Sequence, residues 1–126
     1  MELIRYLASD KIRIDHTKYE ATYDVYFDPS HIIYKAHFPD QPVTPGVCII
    51  QMINELASDI TQQKLTLECA KNVKFLSLLI PSNETPVRVE LKLECQAEQD
   101  PKHWVVKAVV QRGIVPIAKL SLIYAC

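Results

Sequence analysis

The sequence predicts an α+β fold in which an antiparallel sheet curls around one long, largely buried central helix. Three observations carry that expectation. Residues 47–62 contain no helix breaker and are apolar around most of a helical circumference. Residues 65–125 divide into runs that alternate apolar and polar side chains or are rich in Val, Ile and Leu. No internal repeat, low-complexity tract or linker interrupts the 126 residues, so residues 1–126 read as a single domain.

In chain order, "MELIRYLASD" has a charge at its second residue and no apolar stretch long enough for a signal peptide. "ATYDVYFDP" (21–29) places Tyr23, Val25 and Phe27 on one face, as a half-buried strand does, and Pro29 and Ser30 end it. "SHIIYKAHF" is short and mixed, a turn or a short helix. Thr44-Pro45 then fits an N-cap hydroxyl followed by proline at the first helical position, with the helix running from Val47 to about Gln62. Gln51, Asn54, Glu55, Ser58, Asp59 and Gln62 recur at spacings of three and four, drawing one narrow polar stripe on that helix.

The second half reads as β-structure. "LTLECAKNVKFLSLLI" (65–80) is a long or bulged strand stopped by "PSNETP". "VRVELKLECQAE" (87–98) alternates Val87, Val89, Leu91, Leu93 and Cys95 with Arg88, Glu90, Lys92 and Glu94. "QDPK" is a turn, and "HWVVKAVVQ" (103–111) and "IAKLSLIYA" (117–125) flank "RGIVP". Four or five antiparallel strands around one helix leave sheet edges exposed, which favours dimerisation through the sheet.

Composition bounds the function. Apolar residues at 48% and charged residues at 23% exclude disorder, and a net charge of −1 gives no electrostatic case for nucleic acid or an anionic membrane. No run reaches the roughly 18 to 20 apolar residues a membrane span requires. Cys48, Cys69, Cys95 and Cys126 show neither a C-x-x-C pair nor metal-ligand spacing, so buried thiols in a reducing compartment, and no metal, are expected. The expectation is a soluble, cytoplasmic protein without a nucleic-acid or membrane partner.

The chemistry is concentrated in "HFPDQPVTPGVCIIQ" (37–51). This stretch resembles the signature of the hot-dog-fold 3-hydroxyacyl-[acyl-carrier-protein] dehydratases: His-Phe-Pro, then Pro, then Pro-Gly-Val, with an acidic residue five positions beyond the glycine. "SHIIYKAHFP" is similar to that family's approach to the histidine, "NVKFLSLLIPSNE" to its Lys-Phe strand, and "QRGIVPIAKLSLIY" to its final hairpin, so the resemblance spans roughly residues 20 to 125. It implies a hot-dog fold, acyl thioester substrates in fatty-acid or related lipid or polyketide synthesis, no cofactor, and a dimer whose interface holds the pantetheine arm beside an apolar acyl tunnel.

Dehydration of a 3-hydroxyacyl thioester requires a base for the α-proton, an acid for the departing hydroxyl, and donors facing the thioester oxygen. His37 suits the base, because a neutral imidazole accepts a proton near neutral pH. Pro39, Pro42 and Pro45 stiffen its loop. The resemblance makes the Gly46 amide the donor to the thioester carbonyl, at a helix start where N–H groups and the dipole favour developing negative charge. Phe38, Pro45, Val47 and Glu55 are the expected substrate-binding neighbours. The blander reading of a lone histidine is structural, and His16, His31 and His103 are left there.

Gln51 stands where the family has glutamate or, in a related branch, aspartate. An amide can hold a hydroxyl by hydrogen bonds, but it cannot deliver the proton that departing hydroxide needs. Glu55, four residues on and roughly 6 Å away between Cβ atoms, offers a substitute acid through a water; its blander reading is an ordinary polar contact. The helix-edge residues Ser58, Asp59 and Gln62 read as solvated. Milder departures are Ala36 and Asp40 where glycines are common, and Ser82 for the glycine after Pro81.

Partners follow from the same residues. An acyl carrier protein or coenzyme A would present the thioester, with Lys71, Lys74 and Lys35 as the docking patch or as ordinary exposed lysines. The assembly is a homodimer or a multiple of it. Two alternatives stay open: a non-catalytic or half-catalytic subunit of a heterodimer whose paralogous partner supplies the carboxylate, and a hot-dog acyl thioesterase in which glutamine orients water.

Overall fold

The computed structural model describes residues 3–36, 40–96 and 103–125. Its elements, in order, are strands β1 (Ile4–Asp15) and β2 (Lys18–Phe27), helices α1 (Ile32–Ala36) and α2 (Gly46–Thr61), and strands β3 (Thr66–Phe75), β4 (Val87–Gln96), β5 (His103–Arg112) and β6 (Val115–Ala125). The six strands form one sheet in the order β1-β2-β4-β5-β6-β3, with every neighbouring pair antiparallel. One interior pairing is long-range: β2 lies beside β4, with Tyr23 opposite Val89, although two helices and β3 intervene in the chain.

Alternation decides which face is core. Ala21, Tyr23, Val25 and Phe27 of β2, Val87, Val89, Leu91 and Leu93 of β4, and Trp104, Val106, Ala108 and Val110 of β5 are all buried, while the residues between them are more open to solvent. Helix α2 packs onto this face through Ile49, Met52, Ile53, Leu56, Ala57 and Ile60, a spacing of three and four that keeps one stripe inward. The contacts are dense enough that Ile53, Leu56 and Ala57 are fully inaccessible to solvent. A Leu56→Ala change here would cost about 2–5 kcal/mol.

Several expectations are corrected. The helix forms within a residue of its expected ends, yet at 16 residues it is an ordinary helix of about 24 Å rather than a long one. The sheet has six strands rather than four or five, because Ile4–Asp15 adds an edge strand. The stretch 65–80 is a bulged strand only as far as Phe75, with register shifts between Leu67 and Cys69 and between Ala70 and Asn72; residues 76–86 are a connecting segment. Thr44 does not cap α2. Pro45 is the N-cap, without a side-chain hydrogen bond, and the Thr44 hydroxyl lies 2.8 Å from that of Tyr34 instead. Of the described cysteines only Cys48 is buried; Cys69 is exposed and Cys95 half-buried, and none of the three is in a disulfide. Among the described residues, no helix is long and apolar enough to cross a membrane.

Candidate active site

Two parts of the expected site are described. The first is the start of α2. Pro45 has an extended backbone (φ −62°, ψ 148°), and its carbonyl accepts from the Cys48 and Ile49 amides at 3.0 and 3.4 Å, which opens the helix. Gly46 is the first helical residue, and the ring of Phe75, from the end of β3, lies against it. A Cβ at Gly46 would meet two ring carbons at 2.7 and 2.8 Å, so the close approach itself requires glycine or a displaced ring. Val47 is 70% exposed and faces away from the core. Pro45, Gly46 and Val47 are thus contiguous, and Val47 is not one of the residues that line the groove beside α2.

The second part is a groove of about 790 Å³ between α2 and the first residues of β1. One wall is the polar stripe read from the sequence: Gln51, Asn54, Glu55, Ser58 and Asp59 all line it, with Cys48 and Met52 at its base. The other wall is Leu3, Ile4, Arg5 and Tyr6. Gln51 is exposed in the groove, and its amide meets no hydrogen-bond partner among the described residues. Glu55 shares the wall one turn further on and is itself engaged by a neighbour. The Asn54 Oδ1 is buried and unpartnered among the described residues.

Asp59 is not the solvated edge residue expected. It accepts a 2.8 Å hydrogen bond from the Tyr23 hydroxyl and lies 3.8 Å from the Lys11 ammonium. Burial, and then the Asp59 hydrogen bond, push the Tyr23 hydroxyl far above its ordinary range, so it remains a donor. Burial likewise raises the Cys48 thiol, which leaves it protonated and a poor nucleophile at neutral pH.

His37 and Phe38 lie outside the described residues. The structure therefore brings together Gln51 with Glu55, and separately Pro45 with Gly46 and Val47. Three contributors went unread in the sequence: the β1 wall of the groove, the Phe75 ring over Gly46, and the Tyr34 partner of Thr44. A signal for Phe75 was present, since it ends the strand that precedes the connecting segment; none in the local sequence ties it to Gly46.

Comparison with known proteins places this geometry. A family model described as ApeI dehydratase, ApeI-like, matches residues 13–114. No curated protein matches the chain. Among solved structures, the dehydratase heterocomplex ApeI:P from Xenorhabdus doucetiae superposes with a TM-score of 0.66 at 16% identity, covering 97% of this chain and 99% of that one. An uncharacterised protein from Erwinia carotovora subsp. atroseptica gives 0.68 at 21% identity, covering 96% and 94%. A sigma28-regulated virulence protein of Campylobacter jejuni gives 0.57 at 14% identity, covering 92% and 81%. At such identities the likeness is one of fold, and the fold is hot-dog-like.

Proposed function

This chain belongs to the ApeI-like dehydratase family, and from that membership we propose that it removes water from a 3-hydroxyacyl thioester carried on an acyl carrier protein or coenzyme A. One observation carries the reading. The run from His37 to Gly46 lies within the matched residues, and its glycine opens a helix that buries its apolar face against the sheet. In this reading α2 is the central helix of a hot dog and residues 1–126 are one domain.

His37 takes the α-proton. The electron pair left on the α-carbon forms the double bond as the β-carbon–oxygen bond breaks, and the oxygen leaves as water by taking a proton that Glu55 supplies through a water molecule. The Gly46 amide donates to the thioester oxygen, which gains charge as the α-proton departs. Phe38, Pro45 and Val47 border the thioester, and Gln51 holds the substrate hydroxyl without protonating it.

The exposed amide of Gln51 favours a second, compatible reading: the proton comes from a related chain with a carboxylate at this position, paired with this one across a sheet edge. One structural relative is a dehydratase heterocomplex, which supports considering such a pairing here. The test is enoyl product and free thiol measured together on 3-hydroxyacyl thioesters of several lengths, for the chain alone and mixed with such a partner. Enoyl product that falls by about two to four orders of magnitude in His37→Ala is the expected result. Free thiol without enoyl product would make the protein a thioesterase, and unchanged turnover in His37→Ala would return the histidine to a structural role.

A further inference from the structure

We propose that Arg112 is a positioning residue for the Gly46 amide: its guanidinium pins the connecting segment 76–86, and that segment holds the turn from which Gly46 opens α2. The inference rests on the reading of that amide as the donor to the thioester oxygen. Gly46 is the first residue of α2, so its N–H has no intrahelical acceptor, and none of the described residues accepts from it. Such a donor works only where it is aimed, because a displacement of about 1 Å at a reacting group can lower the rate by about 10²-fold.

Two contacts reach the start of α2 from the same piece of chain. The ring of Phe75, the last residue of β3, lies against Gly46. Further along, the Leu79 carbonyl accepts from the Thr44 amide at 2.8 Å, just before the N-cap residue Pro45. The near end of the segment is tied to β6, where the Leu76 and Ser77 amides lie 2.8 and 3.3 Å from the Ile117 carbonyl. Arg112 ties the rest: Nη1 donates to the Ile80 carbonyl at 2.8 Å and Nη2 to the Thr85 carbonyl at 3.4 Å. Ile80 directly follows the residue that holds Thr44, so the guanidinium sets the path of the chain at the Leu79 carbonyl. From there the constraint passes through Thr44 and Pro45 to Gly46.

The anchor itself is rigid. Arg112 closes β5, and Gly113, with φ +58°, turns the chain into β6 at Val115. Glycine adopts that backbone without strain, so the Arg-Gly pair sets the guanidinium at the end of a paired hairpin rather than in a loop. Burial draws the group partly out of water and lowers its pKa, and among the described residues no carboxylate pairs with it. Its Nε is buried and unpartnered there. A cation without a counter-charge contributes little to stability for its own sake. What its planar fork does is hold two carbonyls of one segment at once, which the single point charge of a lysine does not.

The experiment compares the wild type with Arg112→Lys, Arg112→Ala, and Arg112→Ala supplied with methylguanidinium, each as it assembles in solution. The probe is a saturated acyl-pantetheine thioester labelled with carbon-13 at its carbonyl. It carries the portion common to carrier-bound and coenzyme A substrates, and without a 3-hydroxyl it is not dehydrated. Infrared difference spectra read the carbonyl stretch, which falls when a donor bonds to the oxygen. The stretch is expected to fall on binding to the wild type, and most of that shift should be lost in Arg112→Lys and Arg112→Ala. Methylguanidinium should restore it in Arg112→Ala. On 3-hydroxyacyl thioesters, both variants should lower kcat by about tenfold or more with KM within about twofold, because the donor matters most as charge builds on the oxygen. Amide hydrogen exchange within residues 44–47 and 76–86 should rise, with β2 and β4 unchanged.

The wild type separates the two layers. If its bound carbonyl does not shift, the Gly46 donor is lost and the role of Arg112 falls with it. If the shift is present and survives in both variants, the donor stands and the positioning role is overturned. Exchange that rises equally in β2 and β4 also overturns it, since that marks a general loss of stability. Should Arg112→Ala fail to fold, Arg112→Lys, which keeps the charge and removes the fork, decides by the same readings.

Discussion

At position 51 the difference between an amide and a carboxyl group is one proton. Gln51 lies on the wall of the groove, one turn before Glu55, and the two side chains are nearly the same size as each other. Gln51→Glu would put a carboxyl group, a potential proton donor, where the amide can only hold the substrate hydroxyl. The expected outcome is a dehydration rate at least tenfold higher in the homodimer, roughly 1.4 kcal/mol of barrier, measured as enoyl product per second at equal protein concentration. A brisk wild type matched by the variant would assign the acid elsewhere, and Glu55→Gln would be made next.

A second residue bears on stability. Tyr124 is completely buried, its hydroxyl meets no partner among the described residues, and burial pushes its pKa up to about 12. Because the folded value lies above the unfolded one near 10, the stability linked to this group is intact below about pH 10 and falls as pH climbs toward 12, by at most roughly 1.4 kcal/mol per pH unit. Tyr124→Phe should flatten part of that alkaline loss. At neutral pH it should stabilise by about 1 kcal/mol, because an unsatisfied buried hydroxyl disappears; thermal unfolding at pH 8 and pH 11 checks both.

At the level of the element, the start of α2 depends on β3. Gly46→Ala would improve helix propensity by up to about 1 kcal/mol, yet its methyl group would displace the Phe75 ring. The expected result is a net loss in melting temperature for Gly46→Ala that is absent in the Phe75→Ala background, so that the two changes are strongly non-additive in calorimetry. Additive losses would mean that the ring moves aside without cost. The element boundaries show what local sequence can reveal. Helix α2 and strands β2, β4, β5 and β6 were legible because burial on one face enforces a period, and Ile49, Ile53 and Leu56 or Val87, Val89 and Leu91 obey it. Thr44 was misread because its local signal is the same whether its hydroxyl caps a helix or finds a tyrosine ten residues earlier; only the tertiary structure chooses. Strand β1 was not legible at all. A register shift between Ala8 and Asp10 slips the alternation by one residue, so that Ile12, of the same parity as Ile4 and Tyr6, lies on the opposite face from them. With it went the Leu3–Tyr6 wall of the groove.

For the whole molecule, the open edges matter most. The sheet ends at β1 on one side and β3 on the other, and β3 pairs with β6 alone. Around the end of β3, Val47, Phe75, Leu76, Leu78 and Ile80 are about half exposed or more. An edge strand beside exposed apolar side chains invites pairing with another chain. The expected state is a dimer or a multiple of it, formed through β3, and light scattering at micromolar concentration measures it. A monodisperse monomer would overturn the expectation, and with it any site completed by a second chain.

The placement of β2 beside β4 also governs how this chain reaches its native state. The β1–β2, β4–β5 and β5–β6 pairings join strands that follow one another in the chain, but Tyr23 must meet Val89 across more than sixty residues. Closing so long a loop carries an entropic cost before any of its contacts can reward it. Folding should therefore proceed on the millisecond-to-second scale, with those three pairings assembled before the two halves of the sheet dock. Until that docking, the flank of β2 that β4 will cover and the edge of β3 are both open to other chains. Refolding yield is accordingly expected to fall with rising protein concentration well before native solubility is reached.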